Sequence, residues 1–382
     1  MINKKIIRAV TVSMSVGFFK PMIKDLQQQG YEVVTVSSPG PELDELRQME
    51  VNVIEVCMER RMSPLKDLKS LWQLIRVFRK ERPYMVHSMT PKAGLLCMLA
   101  GWLTRVPRRV HTFTGLVWPT SKGLSRKILM FTDWLTCACA THVIPEGEGV
   151  KHDLKQHITK KPMRVLGYGN VRGVDMENFS RRPELMMRAN GLRRIDVFTF
   201  LFVGRIVGDK GINELVEAFT RLQRENYKIR LLLVGGFEEN LDPLKSVTLE
   251  MINNNSAIEY VGAQYGDDLL AHYVASDCFV FPSYREGFPN TVLEAGAMGL
   301  PSIVTDINGS REIVVNGKNG VIIPSKDTGA LYKAMKDMVI DKTNTAYYAS
   351  QARQMIADRF EQGYVRQCLY DFYEEISVTD KL

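Results

Sequence analysis

"FLFVGRIVGDKGINELVEAF", Phe200 to Phe219, runs from an apolar stretch through a loop with Gly204, Gly208 and Gly211 into a helical-period segment. Strand, glycine-rich loop and helix in that order form the repeating unit of a parallel sheet, because a parallel neighbour is reached only through a crossover, usually a helix. The unit recurs in both directions. Around and downstream of it, "DVFTFLFVGR", "IRLLLVGG", "AIEYVG", "DCFVFP", "PSIVT" and "GVIIP" read as strands separated by helical segments. Upstream, strands are expected at Ile6–Ser13, Glu32–Val36, Val51–Val56, Tyr84–His87, Val110–Phe113 and His142–Pro145.

"MRVLGYGNVRGVDMENF", Met163 to Phe179, reads as a strand and a glycine-rich turn that close the first set, and the polar "SRRPELMMRANGLRRID" after it marks a boundary. The expected fold is α/β, with two doubly wound Rossmann-like domains over 1–180 and 181–355. A helical segment over 356–382 is expected to pack back toward the first domain. A chain of 382 residues exceeds what most single cores hold. Two such domains would leave a cleft at the carboxyl ends of their strands, where ligands of these folds bind.

Charge is uneven: residues 1–180 hold 27 Lys/Arg against 16 Asp/Glu, net +11, and residues 181–382 hold 23 against 27, net −4. The basic half favours an anionic partner. The six cysteines, Cys57, Cys97, Cys137, Cys139, Cys278 and Cys368, lack metal-ligand spacing and read as reduced, buried thiols of a cytosolic protein. "MINKKIIRAVTVSMSV" is broken by Arg8 and lacks a small-residue cleavage site, so it reads as a first strand. The apolar run from Ala93 to Thr104 is too short to span a bilayer.

Arg205 and Lys210 sit five apart on the glycine loop, within reach of one diphosphate, or they are ordinary surface cations. In "YREGFPNTVLEAGAMGLP", Tyr284 to Pro301, Glu286 lies on a loop and Glu294 on a helix. Glu294 reads either as the partner of Thr291 in a capping box or as a ligand carboxylate beside a helix N-terminus. Glu286 reads as a solvated loop carboxylate or as a second ligand group. Two carboxylates bracketing a diphosphate suit a ligand with hydroxyls at both ends, which is a nucleotide sugar.

Glu286, seven residues and Glu294, with "VGRIVGDKG" upstream and "GVDMENF" between the halves, resemble the retaining family 4 glycosyltransferases of the GT-B fold. That resemblance covers nearly the whole chain and is densest from Val197 to Pro324. It implies that Arg205 and Lys210 hold the donor diphosphate beside Gly204 and stabilise the departing nucleotide. It also implies that Glu286 binds donor-sugar hydroxyls, with Gly287, Phe288, Pro289, Asn290 and Thr291 beside it, and that Glu294 holds the ribose diol. Gly17 in "SMSVGFFKPMIKDL" falls where relatives have a glycine loop, although one glycine stands where two are frequent. In "VHTFTGLVW", Thr114 occupies the position where relatives carry a histidine near the donor sugar. His111 reads as structural, an acceptor-side contact being the alternative. Lys92 in "HSMTPKAGL" is either a partner for an acceptor phosphate or a solvated lysine.

The chain contains no Asp-x-Asp pair, so a metal clamp lacks its usual ligands, and no metal or other cofactor is expected. The resemblance implies transfer from a nucleotide sugar, UDP-linked by expectation, to a polyprenyl-diphosphate-linked or saccharide acceptor in bacterial surface-polysaccharide assembly. Nucleic acid is not an expected partner. A nucleotide-sugar epimerase and a non-catalytic sugar-nucleotide-binding module are the rival readings. In "SPLKDLKSLWQLIRVFRKERP", Leu65, Leu68, Leu71, Trp72, Leu74, Ile75 and Phe78 share one half of a helical wheel, with Lys66, Lys69, Arg76 and Lys80 on the other. The apolar stripe is expected to stay in the core. The basic face is expected to give salt-sensitive, peripheral docking on an anionic membrane, from the cytoplasmic side.

Overall fold

The computed structural model describes residues 4–60, 62–238 and 242–378. Met1, Ile2 and Asn3 of the opening stretch and residues 379–382 of the closing segment lie outside them. The chain forms two compact units, one taking the chain up to Arg172 and again from Val365, the other running from Gly173 to Tyr364.

In the first unit β1 (Lys4–Ala9), β2 (Tyr31–Ser37), β3 (Asn52–Glu55), β4 (Met85–Met89), β5 (Arg108–Phe113) and β6 (His142–Pro145) form one sheet in the order β3-β2-β1-β4-β5-β6. Every pairing is parallel. Successive side chains of a strand point to opposite faces, so Ile6 and Ile7 enter separate apolar layers, as do Val33 and Val34. One layer includes Leu74, Phe78 and Leu96 from helices following β3 and β4. The other includes Phe19 and Leu26 and is completed by Leu369, Phe372, Tyr373 and Ile376 of the helix Gln362–Val378. The Tyr373 hydroxyl accepts from buried Arg8 at 2.7 Å and lies 2.5 Å from His87 Nδ1.

Three local expectations fail here. β1 stops at Ala9, and Ser13–Phe18 wind into a 3-10 helix. Residues 163–166 form no strand: Arg164 N reaches Val143 O at 3.4 Å, and Gly167 and Gly169, with φ of 53° and 94°, turn the chain off the sheet. The apolar stripe of the helix Pro64–Glu81 splits, burying Leu74 and Phe78 while Leu65, Leu68 and Trp72 face solvent. Its apolar residues cover more of the circumference than one sheet-facing stripe can bury. All six cysteines are free, but Cys57 is exposed and Cys368 half-buried, contrary to the expectation of six buried thiols.

In the second unit β7 (Phe198–Val203), β8 (Ile229–Val234), β9 (Ile258–Gly262), β10 (Cys278–Phe281), β11 (Ser302–Thr305) and β12 (Gly320–Ile323) take the order β12-β11-β10-β7-β8-β9. All pairings are again parallel, and each of the six expected segments forms its strand. Among the described residues no helix is long and apolar enough to cross a membrane.

Asp133, on the helix Gly123–Cys139, has its carboxyl pushed by burial from its usual 3.8 up to about 7. The native state therefore keeps a proton that the unfolded chain releases, and stability falls as pH rises through that interval. Asp133→Asn should melt higher than the native sequence at pH ~8, and the gap should close by pH ~4, where both side chains are neutral. A gap that persists undiminished in acid would refute this assignment.

Candidate active site

β7 lies beside β10, and the chain leaves β7 toward β8 on one side and β10 toward β11 on the other. Loops leaving the carboxyl ends of two such strands diverge and open a crevice, the usual ligand site of an open α/β sheet. The first loop carries Arg205 and Lys210; the second carries Glu286.

The two loops are locked together by backbone. Gly211 has φ of 72°, and a Cβ there would lie 2.1 Å from the Pro282 carbonyl oxygen, so only glycine permits this approach. Tyr284 N donates to Asp209 O at 2.8 Å, and the Arg285 guanidinium lies 3.3 Å from Asp209 Oδ2. This clamp brings Lys210 Nζ into an ion pair with Glu286 Oε1, both side chains being largely buried at 13% and 16% exposure. Ser283 Oγ donates to the same carboxylate oxygen at 2.7 Å, and the ammonium lies 5.4 Å from the Phe281 ring centroid. Lys210 is thus an enclosed, paired cation rather than a solvated one. Arg205 stands apart from that pair, more exposed, with its guanidinium donating to Glu238 Oε2 at 2.7 Å.

Beyond Glu286 the chain is pinned at Gly309, where φ is 73° and a Cβ would meet Gly287 O at 2.3 Å. Phe288 is buried against Phe360, with ring centroids 5.4 Å apart. The helix Asn290–Ala297 has Pro289 as its N-cap and no side-chain capping bond. Thr291 lies inside the helix, so the capping box does not form. Glu294 is buried and accepts from the Tyr273 hydroxyl at 3.2 Å.

The residues expected in the first unit have different surroundings. Gly17 sits exposed on the 3-10 helix with nothing within 4 Å of a Cβ there, so the fold does not itself require glycine. Lys92 is bound to Asp67 at 2.7 Å with 12% of its side chain exposed, and is neither solvated nor open to a ligand without exchanging that partner. Next to it, Thr90 holds φ 71° and ψ 145°, a strained conformation for a β-branched residue, and bonds Thr11 through both its hydroxyl and the Thr11 amide. His111 is buried, 2.9 Å from Ser88 Oγ, edge-on to Phe113 at 4.5 Å, and its pKa is pushed down to about 3 by burial. Burial thus holds it neutral among its neighbours at the end of β5. Thr114 is half-buried just past β5.

Sequence reasoning missed Ser283, Glu238 and Asp209. Ser283 stands three residues before Glu286, a spacing that allows a local bond, but Glu238 reaches Arg205 across 33 residues and leaves no local signal.

The profile of the family described as "Glycosyl transferases group 1" matches residues 187–355, and that of "Glycosyl transferase 4-like domain" matches residues 19–169. The capsular polysaccharide biosynthesis glycosyltransferase CapM of Staphylococcus aureus is 32% identical over 377 residues, 98% of this chain and 97% of that protein. The UDP-Gal:alpha-D-GlcNAc-diphosphoundecaprenol alpha-1,3-galactosyltransferase of Escherichia coli is 31% identical over 290 residues, 74% of this chain and 73% of its own. Anabaena Alr3699/HepE in complex with UDP and glucose matches in fold with a TM-score of 0.80 at 16% identity, covering 98% of this chain and 100% of that one. Two parallel, doubly wound, Rossmann-like units of this topology define the GT-B class of fold. The chain belongs to the family 4 glycosyltransferases, of the type that builds bacterial surface polysaccharides.

Proposed function

We propose that the chain transfers a hexosyl or N-acetylhexosaminyl group from a UDP-sugar to a polyprenyl-diphosphate-linked saccharide, with retention of anomeric configuration and without a metal, at the cytoplasmic face of the membrane. The observation that carries this is the Lys210–Glu286 pair clamped at the switch point of the second sheet. An entering diphosphate takes Lys210 from Glu286 and Arg205 from Glu238, and the released Glu286 accepts hydroxyl protons of the donor sugar. Glu294 holds the ribose. The acceptor hydroxyl attacks C1 on the face the nucleotide leaves, and the C1–O bond to the β-phosphate breaks. Its electron pair stays on the phosphate oxygen, which then takes the acceptor's proton. Cations held ready for that charge lower the barrier without reorganisation.

The names of the relatives support the choice of substrates, since the Escherichia coli protein is named for a UDP-sugar and a diphosphoundecaprenol acceptor. The test is a thermal-shift series over UDP-, GDP- and dTDP-sugars, followed by transfer to a lipid-linked acceptor in EDTA with the product's anomer read by NMR. A UDP-sugar at a hundred times its Kd should stabilise the fold by about 2.7 kcal/mol. Glu286→Gln should lower kcat and change donor preference, whereas Glu294→Gln should mainly raise the donor KM, because ribose contacts change little during reaction. Failure of every UDP-sugar, an inverted product, epimerisation of the donor alone, or loss of transfer in EDTA would each sink the corresponding part.

A further inference from the structure

Arg8, on β1, is 1% exposed. Its guanidinium donates to the Tyr373 hydroxyl oxygen at 2.7 Å and to Met89 Sδ at 3.4 Å, and it lies 4.8 Å from the Phe19 ring centroid. Among the described residues it meets no acid, and its buried Nε has no partner. A guanidinium keeps its proton in proteins, and a buried charge without an opposite charge is costly.

The same contacts set the direction of a chain of hydrogen bonds. The Tyr373 oxygen accepts from Arg8, so its own hydrogen goes to His87 Nδ1, 2.5 Å away. Burial, and after it the Arg8 charge, hold the His87 imidazole well below its ordinary pKa, so the ring is neutral. Its one proton is then on Nε2 and is donated to Thr112 Oγ1 at 2.7 Å. The Thr112 hydroxyl hydrogen is left over, since among the described residues that oxygen makes no other hydrogen bond. Run the other way, the chain would strand the hydrogen of Tyr373, which is fully buried and borders no cavity.

Thr112 does border one. With Arg8 and His87 it lines a cavity of about 20 Å³, bounded also by Ile144, Leu166, Val365 and Leu369. The remaining polar side chain of the wall is Asn170, whose Oδ1 is taken by the Arg172 amide at 2.9 Å. The wall therefore presents hydrogens and a positive charge, and no carboxylate. A space of this size holds one particle about as large as a water molecule, and a phosphate does not fit. Water would satisfy the hydrogens but leave the charge, and residues 1–180, at net +11, add a field that favours an anion.

We propose that this cavity is a halide site, taking chloride from solution with Arg8 and Thr112 as its donors, and that the ion fastens the helix Gln362–Val378 to the sheet. Val365 and Leu369 of that helix form part of the wall, and Tyr373, one turn further on, closes the hydrogen-bond chain.

The test is thermal melting of the full chain followed by tryptophan fluorescence, which reads the first unit because all four tryptophans lie in it. At a constant ~0.15 M of sodium salt, exchanging gluconate, which is too large for the cavity, for chloride should raise that transition by about 2–4 °C along a saturating curve. Bromide should act likewise, and its anomalous scattering in a crystal should place one ion beside Arg8. Thr112→Val should cut the chloride shift at least ~2-fold while Thr112→Ser keeps it, because only serine preserves the donor hydrogen. Arg8→Met should abolish the shift. Should Arg8→Met fail to fold, the contrast between the two Thr112 variants decides alone. Equal melting in chloride and gluconate, a full chloride shift in Thr112→Val or Arg8→Met, or a water in the cavity of bromide-grown crystals would overturn the proposal.

Discussion

Replacing Lys210 with alanine should lower turnover at saturating donor at least ~100-fold, because the departing diphosphate loses its enclosed cation. The same change should also lower stability by about 1–3 kcal/mol, since Glu286 is left largely buried without its ion pair. The two effects separate in the double variant Lys210→Ala, Glu286→Gln, whose neutral amide removes the stranded charge. Its melting temperature should recover most of the loss while its turnover stays low. Near-normal kcat for Lys210→Ala would remove the lysine from diphosphate stabilisation. Recovery of turnover in the double variant would show that stability alone was at issue.

A comparable loss should follow from Gly211→Ala, a residue without any chemistry of its own. The added Cβ sits 2.1 Å from the Pro282 carbonyl oxygen in a left-handed backbone conformation. The second unit should lose at least ~2 kcal/mol, and donor binding should fall with it as the Lys210 loop parts from the Glu286 loop. Gly17→Ala is the contrasting case, since a Cβ there meets nothing within 4 Å, and its melting temperature should stay within about a degree of the native one. Equal melting of Gly211→Ala and the native chain would show that the clamp yields without cost.

The parallel sheets were legible because alternation of apolar runs with helical periods is a local signal, and in the second unit all six strands fall where that signal puts them. The loops holding Arg205, Lys210 and Glu286 were legible for the same reason. Their pairing was not: Lys210 meets Glu286 across 76 residues, and only the strand order, with β10 beside β7, makes them neighbours. Thr291 and Glu294 show a different limit. Their spacing fits a capping box, but Pro289 takes the cap position, so Thr291 is already the second residue of the helix. The stripe of Pro64–Glu81 shows a third. Periodicity reports that residues share a face and does not say whether that face meets the sheet or the solvent.

The helix Gln362–Val378 gives the two units different histories during synthesis. Gly173 to Tyr364 is one unbroken stretch, and every residue of the second unit's sheet is available once the ribosome has passed it. The first unit lacks Leu369, Phe372, Tyr373 and Ile376 until the second has been translated in full, and those residues close one of its two apolar layers. Its half-built layer must therefore wait in the nascent chain, and the part of the protein that is made first is the part whose core is finished last.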